Sequence, residues 1–187
     1  MDSVHSTRNI MAAALKEMMQ EKPLEKISVS DICRNCGMNR KSFYYYFRDK
    51  YDLVNWIFDR DINDMLSKSY EAESVNTQIE NLREFCVYLY ENRAFYSKAL
   101  RVRGQNSLSE HLREVGRPII RQRIYHVAGE DYADDFAVDV IGDACILAIE
   151  KWLLQEDPMT PDELIGRLTG IIRLSTGTLY REMELDK

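Results

Sequence analysis

With 187 residues, 45% hydrophobic and 30% charged, the chain can bury a substantial core, and disordered or collagen-like classes are excluded. No apolar run approaches the roughly 20 residues of a membrane helix, and the opening MDSVHSTRNI lacks the basic-then-apolar layout of a signal peptide. A cytoplasmic protein with no membrane partner is therefore expected, its four cysteines reduced. The net charge of −6 is unevenly divided: residues 1–50 hold nine Lys/Arg against six Asp/Glu (+3), and the remainder sixteen against twenty-five (−9). A weakly basic head on an acidic body suits a protein that meets phosphate with one end only.

In chain order, Met11, Ala14, Leu15 and Met18 recur at three- and four-residue steps and predict an amphipathic helix over about 5–21. It stops near Lys22-Pro23, because proline disfavours helix in the residue before it. Ser28, with Asp31 three residues on, reads as an N-cap with an acidic partner opening a short helix, and Gly37 ends that helix and supplies the turn. Asn39 caps a helix from Arg40 to about Phe47; Asp49 caps a longer one from Lys50 that carries Leu53, Val54, Ile57, Phe58, Ile62, Met65 and Leu66. Helices follow at about 77–99, 106–113, 117–127, 132–155 and 161–183, the last opened by Thr160 as N-cap, Pro161 at the first turn and Glu163 closing a capping box. The expectation is an all-α protein of about nine helices: a three-helix head over 1–52 and a helical bundle over 53–187.

Two short helices joined by a glycine turn make a helix-turn-helix, whose second helix lies in the DNA major groove. On that second helix Phe43 and Phe47 share one face, while Arg40, Lys41, Tyr44 and Tyr45 cluster on another. The second set offers cations and phenols that donate to phosphate oxygens or, from Arg and Lys, to guanine edges. Ser28-Val29, Asp31-Ile32, Gly37, Phe43-Tyr44, Phe47, Lys50 and Leu53 together resemble the N-terminal signature of TetR-family regulators, over about residues 8–58. The runs SDICRNCGMNR and FYYYFRDKYDLVNWIF are similar to the DhaS-like branch of that family.

The resemblance implies a homodimer bound to a pseudo-palindromic double-stranded DNA operator. It assigns phosphate contacts to Tyr44 and Lys50, a capping and backbone-reaching role to Ser28, and base reading to Arg40, Lys41 and Ser42, with Tyr45 a further candidate. Tyr46 stands where many members have histidine and Lys41 where many have glycine. It further implies control by a small-molecule effector or a protein coregulator at the body, and dimerisation through the last two helices, about 132–155 and 161–183.

Those helices fit either a central position within the monomer or pairing with a symmetry mate in a four-helix bundle. Phe136, Val140, Ile141, Cys145, Ile146, Ala148, Ile149 and Trp152 on one, and Leu164, Ile165, Leu168, Ile171, Ile172 and Leu179 on the other, cover so much circumference that several sides need burial. Cys33 and Cys36 have CxxC spacing but no second pair, and His5, His111 and His126 are scattered, so packing is favoured over a metal site. Tyr88, Tyr90, Phe95 and Tyr96 are spaced as core residues. With no catalytic constellation in view, neither an enzyme nor a cofactor is expected.

Overall fold

The computed structural model describes residues 2–71 and 74–171, and among these every regular element is a helix. The head holds α1 (Asp2–Glu21), α2 (Val29–Asn35) and α3 (Arg40–Tyr46), and α4 (Lys50–Glu71) runs from it into the body. The body continues with α5 (Val75–Glu91), α6 (Arg93–Ala99), α7 (Leu108–Ala128), α8 (Asp135–Leu153) and α9, described over 161–171. These nine helices among the described residues agree with the all-α expectation. The outer part of the last predicted helix, including Ile172 and Leu179, lies outside the described residues.

Local chemistry sets the head. Ser28 caps α2 through a reciprocal box: Asp31 N donates to Ser28 Oγ at 3.1 Å, and Ser28 N donates to Asp31 Oδ2 at 3.0 Å. At the other end Met38 N donates to Cys33 O at 2.8 Å and Gly37 N to Arg34 O at 3.4 Å. That is a Schellman motif, and it requires the positive φ of +68° at Gly37. Asn39 Oδ1 accepts from Ser42 N at 2.8 Å to open α3, and Asp49 Oδ1 accepts from Tyr51 N and Asp52 N, both at 2.8 Å, to open α4. Met11, Leu15, Ile32, Phe43, Phe47, Leu53 and Ile57 close the head core, which continues without a break into Phe58, Tyr96, Trp152 and Leu164 of the body.

Two boundaries differ from the sequence expectation. The stretch 77–99 is two helices, broken at Asn92, whose side-chain Nδ2 and backbone N both return to Tyr88 O, at 2.9 and 3.1 Å. The break lets Phe95, Tyr96 and Ala99 turn into the core. Conversely, the two helices predicted over 106–113 and 117–127 are one, α7, which runs through Pro118. α8 holds it from both sides of the proline: Arg113 Nε donates to Asp143 at 2.5 Å, Arg117 pairs with Asp139 and Asp135, Arg121 pairs with Asp135, and Ile120 closes over Gly142.

Short α6 ties the two ends of the molecule. At its start Arg93 donates to Leu153 O, the last carbonyl of α8, at 3.0 Å, and also to Gln155 O in the turn beyond that helix. Near its end Lys98 Nζ donates to Met19 O at 2.5 Å and Gln20 O at 2.8 Å, carbonyls of the last turn of α1. Cations at helix C-termini satisfy carbonyls that have no intrahelical partner and complement the helix dipole.

Candidate nucleic-acid interface

The α2–turn–α3 unit presents one face of α3 outward. Phe43 and Phe47 are buried at 0% and 3% exposure, and their rings lie 5.7 Å apart against the core, with Trp56 of α4 5.7 Å beyond Phe47. Anchoring that face forces the opposite one into solvent: Arg40 and Lys41 are exposed, as are Tyr44 at 49% and Tyr45 at 78%. Ser42 is half-buried, because its hydroxyl turns back to Asn39 Oδ1 at 3.2 Å within the cap.

Arg40 and Tyr44, one turn apart, form a pair. Arg40 Nη2 donates to the Tyr44 phenol oxygen at 3.2 Å, with the guanidinium 5.7 Å from the ring centroid. The hydrogen bond pushes the Arg40 pKa up from its ordinary value. Tyr44 is itself set edge-on against buried Phe43, the centroids 5.7 Å apart. Tyr45 packs edge-on against Tyr46 at 4.8 Å, and the Arg8 guanidinium of α1 lies 5.6 Å from the Tyr46 ring. The C-terminal end of α3 is thereby clamped to α1.

Ser28 and Lys50 sit at the upstream edge of this unit, both already occupied. The Ser28 hydroxyl donates to Asp31 Oδ2 at 2.6 Å, and the hydrogen bonds from Ser28 hold the Asp31 carboxyl below its ordinary value. Lys50 Nζ donates to Leu24 O at 2.7 Å, Glu25 O at 3.1 Å and Ile27 O at 2.8 Å. Burial lowers its pKa from the ordinary lysine value. An ammonium has three N–H donors. All of those of Lys50 serve the turn between α1 and α2, an occupation different from the phosphate contact that the resemblance implies.

Two cations that sequence reasoning passed over, Arg34 and Arg48, are well exposed, with side chains at 79% and 76%. Each has a long ion pair, to Asp31 at 3.3 Å and Asp52 at 3.6 Å, and the i,i+3 and i,i+4 spacing was the available signal. Of the CxxC pair, Cys33 is buried and Cys36 half-buried, with Cys36 Sγ 3.6 Å from Cys33 O; burial raises the Cys33 thiol pKa. In the body, Phe95 and Tyr96 are buried and Tyr88 half-buried, while Tyr90, partly exposed, stacks on Trp152 at 5.9 Å. Among the described residues, no helix is long and apolar enough to cross a membrane.

Comparison with known proteins places this geometry. Residues 10–57 match the family described as bacterial regulatory proteins, tetR family, and residues 76–174, more than half of the chain, match the TetR-type transcriptional regulator C-terminal region. The chain belongs to the TetR family. This is a family of DNA-binding transcriptional regulators rather than enzymes, as the signature over 8–58 implied.

The DhaS-like branch of the TetR family is supported as well. The HTH-type dhaKLM operon transcriptional activator DhaS of Lactococcus lactis subsp. lactis is 34% identical over 92 residues, 49% of this chain and 48% of that protein. The chain thus matches about half the length of that relative. The solved structure of a dihydroxyacetone kinase operon activator DhaS aligns over 90% of this chain and 95% of its own, with TM-score 0.61 and 22% identity. A TetR transcriptional regulator from Streptococcus agalactiae aligns over 90% and 94%, with TM-score 0.69 and 18% identity. At that identity the two structures speak for the shared TetR fold.

Proposed function

We propose that this chain is a cytoplasmic, sequence-specific operator-binding regulator that acts as a homodimer, with α3 of each copy in successive major grooves of a pseudo-palindromic duplex. The observation that carries the reading is the outward face of α3: Arg40, Lys41, Tyr44 and Tyr45 exposed opposite buried Phe43 and Phe47. Tyr44 is assigned to phosphate, with Ser28 joining it once its hydroxyl turns from Asp31 to the DNA backbone, and Arg40, Lys41, Ser42 and Tyr45 are assigned to base edges. Lys50 enters differently, as the residue that fixes the turn carrying Ser28.

Dimerisation is assigned to α8 and α9. Val138, Ile146, Ile149 and Trp152 of α8 face the core, yet Phe136, Val140, Ile141 and Leu147 remain exposed on the same helix. Several exposed apolar side chains along one helix mark a candidate association surface, and a two-fold pairing would cover them. Control is assigned to a ligand or partner held by the body over 53–187. Such a signal acts only through its difference in affinity between two spacings of the heads, with α4 as the lever.

The test is fluorescence anisotropy with duplexes that the protein selects from a random library, read across salt concentration. Each cation neutralising a phosphate contributes close to one unit of log–log salt slope. The double variant Arg40→Ala/Lys41→Ala is expected to bind its selected duplex at least about tenfold more weakly and to lose discrimination between base pairs, with the slope little changed because neither is assigned to a phosphate. Unchanged affinity and unchanged base discrimination would sink the assignment of α3 to DNA.

A further inference from the structure

We propose that Tyr44 is a specificity-positioning residue: by holding the Arg40 guanidinium in the free protein, it couples a phosphate contact to the reading of the base pair that Arg40 faces. This rests on the reading of α3 as the major-groove helix. An exposed arginine is free to sample many rotamers, and docking it on a guanine edge costs that freedom. Here the freedom is already restricted. Buried Phe43 sets the Tyr44 ring, and the Tyr44 phenol oxygen accepts from Arg40 Nη2 at 3.2 Å. The remaining guanidinium donors stay available for a planar, two-point contact of the kind guanine O6 and N7 provide.

The phenol has one hydrogen to give, and with its oxygen occupied by Arg40 that hydrogen is available to a phosphate. A hydroxyl that donates becomes a better acceptor, because linked hydrogen bonds polarise one another. Phosphate engagement at Tyr44 therefore tightens the hold on Arg40, and the two contacts are not independent. Lys41 and Tyr45 are also exposed on this face, but neither is paired to Tyr44. The coupling is specific to the base pairs below Arg40.

The experiment selects a duplex from a random library with the wild-type protein and measures affinities for every single base-pair substitution of it at fixed salt. Arg40→Ala is expected to flatten discrimination at one or two adjacent pairs per half-site by roughly 5- to 100-fold, the range of one bidentate contact. Tyr44→Phe, which keeps the ring against Phe43, is expected to weaken all duplexes and also to flatten those same pairs by about 2- to 10-fold, the worth of one hydrogen bond. In Arg40→Ala/Tyr44→Phe, flattening at those pairs should not exceed that of Arg40→Ala. Arg40→Lys, which retains charge but not the planar fork, should lose selectivity at the same pairs while holding most of the affinity.

A Tyr44→Phe variant weakened by one common factor on every duplex overturns the coupling while leaving DNA binding intact. Arg40 variants with unaltered base preference overturn it as well. If the wild type enriches no sequence, the sequence-specific reading itself fails, and this proposal with it.

Discussion

Asp61 gathers side chains from three helices of the head and body. Its carboxylate accepts from Lys16 Nζ of α1 at 2.8 Å, from Arg60 Nε at 2.6 Å and from Tyr88 Oη of α5 at 2.7 Å, and the Tyr88 hydroxyl meets that of Tyr96, on α6, at 2.7 Å. Burial works to raise the Asp61 pKa, but the hydrogen bonds from Lys16, Tyr88 and Arg60 prevail and hold it below the ordinary 3.8. A carboxyl depressed in the folded state contributes stability that is present above its unfolded pKa and lost as pH falls through the folded one. Asp61→Asn is therefore expected to lower the unfolding free energy at pH 7 by about 1–3 kcal/mol, the worth of charge-assisted hydrogen bonds to a largely buried carboxylate. The difference from wild type should narrow as pH is taken below 3.8. Urea titrations at pH 7 and pH 3 read both parts, and an equal loss at the two pH values would contradict the ionised hub.

The α7–α8 hairpin shows what a helix pair adds to its residues. Arg113 faces Asp143, Arg117 faces Asp139 and Arg121 faces Asp135, so each step of four along α7 is answered by a step of four back along α8. The rungs are solvent-facing and individually weak, so their collective effect is on register more than on total stability. Asp139→Arg, which sets like charges together, is expected to lower the melting temperature by about 2–4 °C at low salt, and adding Arg117→Asp should recover part of the loss. Thermal melts by circular dichroism at low and molar salt check this, and a penalty unchanged by salt would mean that packing alone holds the pair. This zipper also explains where reading from sequence stopped. The caps at Ser28, Asn39, Asp49 and Thr160 and the Gly37 turn were legible because each is made by residues within a few positions of one another. Continuity through Pro118 was not, since the aspartates that hold α7 lie some way along the chain. The outward face of α3 followed from the four-residue spacing of Phe43 and Phe47. The engagement of Lys50 by carbonyls 23–26 residues upstream carried no local signal.

Across the whole molecule, two routes of contact connect α8 with the head. α6 supplies a path: Arg93 holds the last carbonyl of α8 and Lys98 carbonyls of the last turn of α1, so a short helix is tied to both. α4 is a second path, bonded to the loop before α7 by Asn55 Nδ2 to Asn106 O at 3.2 Å and to α7 itself by Asp59 Oδ1 with His111 Nε2 at 2.5 Å. With both in place, the orientation of α8 constrains the head of its own chain, and a two-fold pairing of α8 and α9 would fix the spacing of two heads. Phe136→Glu/Val140→Glu tests this at two exposed positions, 77% and 53%, where no core contact is spent. Burying two carboxylates per copy in a symmetric apolar interface is costly, so the variant is expected to sediment as a monomer while keeping its helical content. Its heads, each still folded, would then meet half-sites one at a time. Losing the second contact of a bivalent pair costs about 100-fold or more in affinity, so operator binding should fall by at least that while single half-site binding stays level. Analytical ultracentrifugation combined with anisotropy on full and half operators reads both, and a variant that remains dimeric would place the interface elsewhere than on the exposed face of α8.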